Sequence, residues 1–382
     1  MSASYRVAVV AGDGIGPEVT AAAQRVLEVA ATRFDFGLEW QPVVAGGAAI
    51  DTYGTALREV DLARCAAADA VLLGAVGGPR WDDPTADARP EQALLTLRKG
   101  LGLFANLRPV TAEPCLVDSS PLRPDRINGV DLLIVRELTG GLYFGDRSES
   151  HATEVGRAAH DTLPYQEREI RRIVRLAFAL ARERRGRVTS VDKANVLATS
   201  RLWRTVATEV GAEQADIALD HLLVDSCAMQ LITRPATFDV IVTENLFGDI
   251  LSDEASVLAG SLGMLASASL GDRRTAWGTF GLYEPVHGSA PDIAGTDQAD
   301  PIGAILSGAL MLRWSMGRPE AARAIEAAVR AVLEAGHRTA DLAVPGAAPV
   351  ITATRAFTDL VARALAEDTA NGAALQGAMA IA

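Results

Sequence analysis

The chain has 382 residues, 49% of them hydrophobic, and a formal net charge of -12. This length favours two domains with a cleft rather than one core, and the acidic balance leaves no general basic surface for nucleic acid. No apolar run reaches the about 18 residues of a membrane span, none reads as a signal peptide, and the three cysteines lack metal-site spacing, so we expect a cytoplasmic protein that acts on small molecules.

Predicted strands and helices alternate along the N-terminal part of the chain. A strand at residues 5–11 leads through the turn GDGIG to a helix opened by Pro17, and strands follow at 38–44 and 70–74. The alternation indicates a mostly parallel sheet. The next predicted elements are a helix at 90–101, strands at 104–110 and 130–135, and a hairpin within 140–163.

The second half begins with a long arginine-rich helix at 165–185. Three apolar strands follow, each leading into a helix, at 188–191, 217–219 and 238–242. The last of these helices covers 247–260, and helices at 301–314, 319–334 and 349–365 close the fold. We expect the Ala-rich tail after Asp368 to be frayed.

The turn AGDGIGPE has two possible interpretations. Its glycines stand at 12, 14 and 16, and Pro17 takes the place of the third glycine of a dinucleotide-binding fingerprint. It is either a tight strand-to-helix turn or a turn whose glycines let a ligand approach the backbone. In both cases a standard Rossmann site is disfavoured.

The helix at 247–260 carries two aspartates on one face. Asp249 and Asp253 are four residues apart, and like charges at that spacing repel by a few tenths of a kcal/mol. A bound cation would offset this repulsion, and Mg²⁺ takes a few carboxylates together with water and substrate oxygens. Asp225, at the end of a strand, is the best third ligand, although taken alone it fits a helix N-cap better. Glu244 and Glu254 are competing carboxylates.

Lys193 is the first candidate for acid/base chemistry. The chain has only two lysines, Lys99 and Lys193, among 36 basic residues. Arginine stays charged, whereas a desolvated lysine can lose its proton, so a site that needs an amine base cannot accept arginine. Lys99 fits a surface charge at a helix end, but Lys193 follows a strand among small and polar residues.

Basic side chains gather at predicted strand ends. Arg98 closes a helical stripe that begins at Glu91 and includes two leucines, while Arg108 and Arg136 lie near the ends of apolar strands. Three guanidinium forks at such ends could clamp a substrate with two carboxylates. The alternative for the stripe is two core leucines between charged ends. Tyr143, soon after Arg136, adds a phenol that can donate or accept a proton.

The loop EPVHGSAPDIAG is a candidate nucleotide-binding segment. It offers His287, the backbone amides around Gly288 and Ser289, and the carboxylate of Asp292. An acidic side chain there could hydrogen-bond the ribose diol of NAD and would repel the extra phosphate of NADP. Taken alone, the segment is only a polar turn.

Eight motifs together resemble, in order and spacing, a known family of enzymes. They resemble those of the β-decarboxylating dehydrogenases, the isocitrate/isopropylmalate dehydrogenase family, and extend roughly from Tyr5 to Leu365: GDGIGPEV, GGPRWD, LLTLRK, FANLRPV, VRELTGGLYFG, SVDKANVL, FGDILSDEASVL and EPVHGSAPDIAG. The resemblance implies a two-domain, non-Rossmann α/β fold. Residues 1–103 and 260–382 would form the terminal, NAD-binding domain, and 104–259 the central domain with a dimerisation arm at about 140–163.

The resemblance also implies roles for individual residues. It implies a homodimer in which Lys193 and Asp225 reach into the active site of the neighbouring subunit, and it implies the following sets. Tyr143 and Lys193 would be catalytic; Arg98, Arg108, Arg136, Asp225, Leu94 and Leu95 would bind substrate; Asp225, Asp249 and Asp253 would bind Mg²⁺ or Mn²⁺; and Ile15, Glu91, Asn195, His287, Gly288, Ser289, Ala290, Pro291, Asp292 and Asp300 would bind NAD.

The implied reaction is the NAD-dependent oxidative decarboxylation of 3-isopropylmalate to 4-methyl-2-oxopentanoate, a step of leucine biosynthesis. Burying an isopropyl group against Leu94 and Leu95 gains on the order of 2 kcal/mol, which favours it over substrates with a charged tail. Other 3-alkylmalates, D-malate, tartrate and homoisocitrate are the alternatives. Two residues depart from the family pattern: Asp300 stands where Asn is usual beside the adenine, and Ala266 where many members have Pro.

Two other classes remain as rivals. A 2-hydroxyacid dehydrogenase with a Rossmann domain and a histidine base is disfavoured by the glycine turn and the carboxylate set. A non-catalytic regulatory paralogue keeps such a fold but loses site residues, whereas here every catalytic position is filled.

Overall fold

A computed structural model describes residues 3–83, 86–344 and 350–367. The predicted tail after Asp368 and residue 349, the predicted start of the last helix, lie outside the described residues. The prediction of a helix from 349 was wrong at residues 350 and 351, which pair as a strand, and the last helix begins at Thr354. The elements of the first part are, in chain order, β1 (Ser4–Gly12), α1 (Gly16–Arg33), β2 (Gly37–Val43), α2 (Gly47–Tyr53), α3 (Glu59–Ala67), β3 (Ala70–Ala75), α4 (Glu91–Gly100), β4 (Leu103–Thr111), α5 (Pro124–Ile127) and β5 (Asp131–Glu137).

The remaining elements begin with an antiparallel hairpin whose side chains are almost all exposed, within the segment predicted to contain one. They are β6 (Arg147–Thr153), β7 (Gly156–Asp161), α6 (Glu167–Arg182), β8 (Arg187–Asp192), α7 (Ala198–Ala212), β9 (Ala218–Leu223), α8 (Val224–Thr233), β10 (Val240–Thr243), α9 (Asn245–Ala259), β11 (Ala266–Arg274), β12 (Thr279–Pro285), α10 (Ile302–Trp314), α11 (Pro319–Glu334), β13 (His337–Arg338), β14 (Val350–Ile351) and α12 (Thr354–Glu367).

The chain divides into two compact units. Unit 1 consists of Met1–Gly102, Glu113–Ser120 and Ala259–Ala382, and unit 2 of Leu103–Ala112 and Pro121–Leu258. The strand order in unit 1 is β2-β1-β3-β12-β11, and all its neighbouring pairs are parallel except β12 with β11. Helices α1, α10, α11 and α12 pack against one another in the same unit.

Unit 2 has the strand order β4-β5-β10-β8-β9. The pair β4 and β5 is antiparallel and the other pairs are parallel, which places the ends of β5, β10 and β8 at one edge. Helix α6 packs against β5, β8 and β10, and its sequence is strongly amphipathic. Its N-terminus is closed by a capping box between Gln166 and Glu169. The predicted α/β fold with mostly parallel strands is confirmed.

The sequence analysis assigned no strands to β11 and β12 and no helices to α2 and α3. The first six residues of β11, rich in Ala and Ser, are all buried, so that strand lacks the alternation of apolar and polar residues that marks a half-exposed strand. Helix α9 begins at Asn245, two residues before its predicted start. Among the described residues no helix has the length and apolar character that a membrane crossing requires.

Candidate active site

Two arginines of unit 2 project from one face of neighbouring strands. Arg108 lies on β4 and Arg136 on β5, and in the antiparallel register Asn106 is opposite Arg136. Residues opposite each other, and those two apart on a strand, share a face, so both guanidiniums are on the same side. Arg136 is 1% exposed and Arg108 is 6% exposed. Charged groups buried to this extent require partners.

Helix α9 supplies those partners. Arg136 Nη1 donates a hydrogen bond to Asp249, and Arg108 Nη1 lies 3.3 Å from Asp253 Oδ1. Arg108 Nη1 also donates to Ser252 Oγ at 2.6 Å. The helix approaches so closely because residue 248 is glycine: a Cβ there would lie 2.6 Å from Arg136 Cγ.

The arginines change the interpretation of the paired aspartates. The sequence analysis expected a bound cation to offset the repulsion between Asp249 and Asp253, but within this chain guanidinium groups already contact both carboxylates. The pKa of Asp253 is nevertheless raised, first by desolvation and then by Asp249, with Arg108 opposing the shift. The aspartate pair is therefore compatible with the fold even before a metal ion is considered.

Tyr143 joins the same cluster through Asp249. Its hydroxyl donates to Asp249 Oδ2 at 2.8 Å, and its ring centroid is 5.8 Å from the Arg136 guanidinium carbon. Burial, followed by the hydrogen bond to Asp249, raises the pKa of Tyr143 to about 12. The phenol is thus held as a proton donor. The structure therefore brings Arg108, Arg136, Tyr143, Asp249 and Asp253 together in one unit.

Two asparagines that the sequence analysis did not single out orient the arginines. Asn106 Oδ1 accepts from Arg108 Nε at 2.7 Å, and Asn245 Oδ1 accepts from Arg136 Nε at 3.1 Å. Both asparagines are buried. Asn106 sits two residues from Arg108, so strand alternation could have indicated its contact, but the contact of Asn245 joins residues 109 apart and has no local signal.

Lys193 and Asp225 form a second pair in unit 2. The Lys193 ammonium donates to Asp225 Oδ1, and this hydrogen bond lowers the pKa of Asp225. Lys193 follows β8 and Asp225 lies in the first turn of α8. Asn195, a predicted NAD contact, is exposed in the loop between β8 and α7. Both members of the pair remain partly exposed, with 28% of the Lys193 side chain and 55% of the Asp225 side chain accessible.

The metal site expected from three aspartates is not assembled within a single chain. Over the part of the chain that the structure describes, no group of three or more His, Cys, Asp or Glu side chains is arranged to hold a metal ion. Asp249 and Asp253, one turn apart on α9, still offer the two carboxylates that Mg²⁺ commonly takes with water and substrate oxygens. The residues fit a divalent cation if further oxygens come from outside the chain.

In unit 1, Arg98 of helix α4 is held by a carboxylate on strand β12. Its Nη2 donates to Glu284 Oε1 of β12 at 2.9 Å, and both side chains are buried. The Nε of Arg98 is also buried and has no hydrogen-bond partner among the described residues. Leu94 and Leu95, on the same helix, are half-buried, so the predicted alternative of two fully buried core leucines does not hold for them.

The glycine turn of unit 1 packs against the candidate nucleotide loop. The Ile15 amide donates to Ser289 O at 2.8 Å. Gly14 has a φ of +56°, and a Cβ there would lie 2.0 Å from Ser289 O. The space left by Gly14 is therefore filled by protein backbone and not left for a ligand. This favours the first of the two interpretations of the turn, with Pro17 in the first turn of α1.

Asp13, in the same turn, was not singled out from the sequence, yet it connects three loops. Its carboxylate accepts from the backbone amides of Gly47, Ala48 and Gly77 at 2.8, 2.9 and 2.9 Å. Gly77 in turn faces Glu91, because a Cβ on Gly77 would lie 2.9 Å from Glu91 Oε1. The sequence GDGIG contains mostly glycine, so its pattern did not predict that Asp13 is buried.

The loop 287–292 carries most of the predicted NAD contacts. Gly288, Pro291 and Asp292 are exposed, Ser289 is buried, and Ala290 has a φ of +36°. The Nε2 of His287 is buried and has no partner within the described residues, and burial lowers the pKa of His287. An exposed aspartate and open backbone fit a ribose-bearing ligand.

Asp300 is buried and does not face outward like Asp292. It is 6% exposed, and its Oδ1 accepts from the Ile302 amide at 2.8 Å at the start of α10. Burial, with a smaller contribution from Asp341, raises its pKa well above the ordinary value. A neutral carboxyl group can occupy the position of the amide that is usual in the family.

The site combines guanidinium groups, carboxylates, a phenol and an amine on α/β units. This set of side chains is typical of an enzyme that acts on a small acidic substrate. The sequence profile of the isocitrate/isopropylmalate dehydrogenase family matches residues 6–361, and the chain belongs to that family. It is 57% identical over 361 residues, 94% of this chain and 99% of the relative, to the 3-isopropylmalate dehydrogenase of Anaeromyxobacter dehalogenans (strain 2CP-C). It is 56% identical over 348 residues, 91% and 95% of the two chains, to that of Gloeobacter violaceus (strain ATCC 29082 / PCC 7421).

Solved structures give the same assignment. The isocitrate dehydrogenase of Methylococcus capsulatus matches with a TM-score of 0.83 and 36% identity, over 95% of this chain and 99% of that one. A β-decarboxylating dehydrogenase of Thermococcus kodakarensis in its apo form matches with a TM-score of 0.75 and 37% identity, over 96% and 97% of the two chains. The family identified from the eight motifs is confirmed.

Proposed function

We propose that the chain catalyses the NAD-dependent oxidative decarboxylation of 3-isopropylmalate to 4-methyl-2-oxopentanoate, the leucine precursor. The observation that carries the proposal is the contact of Arg136 and Tyr143 with the same carboxylate, Asp249. It places a binder of substrate carboxylate and a proton donor side by side. Relatives named 3-isopropylmalate dehydrogenase, similar over almost their whole length, support the choice of substrate.

The substrate carboxylates bind to the arginines. Arg108 and Arg136 present buried guanidiniums from one strand face, and a carboxylate fits such forks with two parallel hydrogen bonds. Arg98 contributes a third, fixed by Glu284. Because the arginines already contact Asp249 and Asp253, an arriving substrate takes over part of their hydrogen bonding. The aspartate oxygens then become available for a cation.

A divalent cation, Mg²⁺ or Mn²⁺, held by Asp249, Asp253 and Asp225 of the partner subunit would act as a Lewis acid toward the substrate's C1 carboxylate and C2 hydroxyl. Lys193 of the partner subunit would accept the hydroxyl proton as a neutral amine, and NAD, when bound, would supply the acceptor for the hydride from C2. The Lys193 side chain donates as an ammonium to Asp225, so it must release a proton before it can serve as the base. The product of this step is a 2-oxo acid with a carboxylate on C3.

Decarboxylation follows from the position of that carboxylate. It is β to the new carbonyl group, so the C3–carboxylate bond breaks and leaves carbon dioxide and an enolate. Tyr143 donates a proton to C3, and its raised pKa suits a group that must hold this proton until then. Asp249 accepts a hydrogen bond from the phenol and sets its orientation.

Substrate choice depends on the apolar part of α4. Leu94 and Leu95 are half-buried and leave apolar surface accessible, which suits an isopropyl group. Relatives acting on isocitrate or homoisocitrate must accommodate a charged group there, and an unpaired carboxylate against leucine is costly. Other 3-alkylmalates, D-malate and tartrate are the remaining alternatives. We assign NAD binding to the loop 287–292 and further NAD contacts to Ile15, Glu91, Asn195 and Asp300.

We also propose a homodimer in the cytoplasm whose two sites are shared between subunits. Met229 and Ile232 on α8 are 60% and 48% exposed, and Ile250 on α9 is 57% exposed. Such apolar exposure on two helices supports an interface. The hairpin β6–β7 would be the dimerisation arm. Three free thiols, with Cys65 and Cys227 buried, agree with a reducing compartment.

A substrate panel tests the proposal. NADH formation is followed in parallel on 3-isopropylmalate, isocitrate, homoisocitrate and D-malate, with Mg²⁺ and with EDTA. We expect the highest kcat/KM on 3-isopropylmalate, about thirtyfold above D-malate because burying the isopropyl group gains about 2 kcal/mol, and no activity in EDTA. Faster turnover of isocitrate would overturn the substrate assignment, and full activity in EDTA would overturn the metal dependence.

A further inference from the structure

One buried amide connects two parts of the candidate active site. Asn245, the first residue of α9, is 1% exposed. Its Oδ1 accepts from Arg136 Nε and Nη2, at 3.1 and 2.9 Å. Its Nδ2 donates to the carbonyl oxygens of Leu138 and Gly140, at 3.2 and 3.1 Å. The side chain thus makes four hydrogen bonds, two on each side.

The two sides of this amide have different functions. On one side it fixes the plane of the Arg136 guanidinium, whose Nη1 points to Asp249. On the other side it holds the chain at Leu138 and Gly140, at the start of the turn that leads to Tyr143. The Asn245 backbone amide also donates to Tyr165 Oη at 3.0 Å, which anchors the asparagine itself. One residue therefore sets the position of a carboxylate binder relative to that of a proton donor.

The local fold explains why the amide stands at this point. Strand β10 pairs in parallel with β5, with Thr243 beside Arg136, and α9 begins two residues later. Only Asn and Gln carry an acceptor and two donors at one end, and Gln is a methylene longer. Aspartate has the same shape but cannot donate to the two carbonyl groups when ionised. Helix capping does not explain Asn245, because it is the first helical residue and the preceding Glu244 accepts from the Phe247 amide at 2.8 Å.

We propose that Asn245 is a positioning residue that couples substrate-carboxylate binding by Arg136 to proton delivery by Tyr143. The inference rests on the proposed function for the roles of those two residues. It assigns to Asn245 neither contact with substrate nor a share in proton transfer. Asn245 fixes the position of the Arg136 guanidinium relative to the Tyr143 phenol, so that the enolate left after decarboxylation has C3 facing the phenol.

The test uses Asn245→Ala and the isosteric Asn245→Asp in the full-length protein, beside Asn106→Ala, which removes the acceptor for Arg108. We expect Asn245→Ala to raise the substrate KM about tenfold or more, because its hydrogen bonds to a charged group are lost. Asn245→Asp keeps the acceptor for Arg136 and loses the two donors to the carbonyl groups, so its substrate KM should change less. We expect kcat to fall about a hundredfold, because small misplacements of reacting groups are costly. The KM for NAD should stay within about twofold.

A stereochemical readout separates positioning from general destabilisation. In D₂O the wild type should place deuterium on one face of product C3, whereas the Asn245 variants should release enolate that solvent protonates on both faces. Asn106→Ala should weaken substrate binding but keep the deuteration stereospecific. Stereospecific deuteration by both Asn245 variants would overturn the proposal. The readout applies to whichever 3-alkylmalate the wild type turns over.

A crystal structure of each Asn245 variant gives an answer that does not depend on turnover. We expect a rotated Arg136 guanidinium in Asn245→Ala and a displaced turn before Tyr143 in both variants. If the wild type turns over no 3-alkylmalate, the proposed function fails, but the crystal structures still decide the positioning role. Unchanged Arg136 and Tyr143 in whichever variant folds would overturn it.

Discussion

The fold strongly favours the neutral form of Asp300 in unit 1. It is buried beside the start of α10, and desolvation, with Asp341 adding like charge, raises its pKa well above the usual value. The neutral form therefore stabilises the native state. This contribution is complete below the unfolded-state pKa of about 4 and is lost as the pH rises through the folded-state pKa.

Asp300→Asn should therefore raise the melting temperature more at pH 8 than at pH 5. The amide stays neutral at both pH values, and each pKa unit of difference corresponds to about 1.4 kcal/mol, or about 3–6 °C for a unit of 150–250 residues. Thermal unfolding of both proteins at the two pH values checks this, with the exposed Asp125→Asn as control. A difference between wild type and variant that is the same at both pH values would contradict the assignment.

The roles of single residues differ in how far the sequence could predict them. Asp249 and Asp253 could be found because helical spacing puts them on one face, and Lys193 because lysine is so rare in this chain. Glu284 and Asn245 could not be found, because each matters through a partner more than one hundred residues away, Arg98 and Arg136 respectively. Such contacts depend on strand register, which no local pattern contains.

At the scale of elements, Asp13 connects the turn before α1 with the N-terminus of α2 and the loop after β3. Its carboxylate has only backbone N–H partners among the hydrogen bonds described for it. The same turn contacts the loop 287–292 through Ile15 and Ser289. The carboxylate therefore supports the surface on which we place NAD.

Asp13→Asn should weaken NADH binding about tenfold, because the amide turns a donor toward backbone donors and leaves an N–H unsatisfied. NADH fluorescence titration measures the effect. The matched control is Asp61→Asn, another buried aspartate of unit 1 that pairs with Arg58 and Arg64 on α3. It should lower stability but leave the NADH affinity within about twofold. Equal losses of affinity in the two variants would show that Asp13 has no particular role.

The elements themselves were predicted best where the sequence shows a helical period or a continuous apolar run. Helix α6 is strongly amphipathic and β5 contains a short apolar run, so their positions agree with the sequence analysis. The first six residues of β11 and nearly all of β12 are buried, and small residues are frequent in β11, so neither period appears. In the sheet of unit 1, β12 lies beside β3 and β11 lies beside β12. The pairing of β12 with β3 joins strands that are distant in sequence, and a local pattern does not contain it.

At the scale of the whole molecule, the described part of a single chain does not bring the three predicted metal-binding aspartates together in one group. Two aspartates of α9 share their environment with arginines, while Lys193 and Asp225 form a separate, partly exposed pair. Exposed apolar residues lie on α8 with Asp225 and on α9 with Asp249. A second copy of the chain that buries these helices would bring its own Lys193 and Asp225 to the aspartates of α9.

Complementation between two inactive variants tests this shared site most directly. Lys193→Ala and Asp249→Asn are purified separately and allowed to exchange subunits, with each variant exchanged against itself as control. If each site takes Lys193 from its partner, half of the dimers are mixed and each of these has one intact site, so about a quarter of wild-type turnover should return. If Lys193 and Asp249 serve the same site from one chain, every site keeps a defect. Mixed dimers without activity would contradict the account.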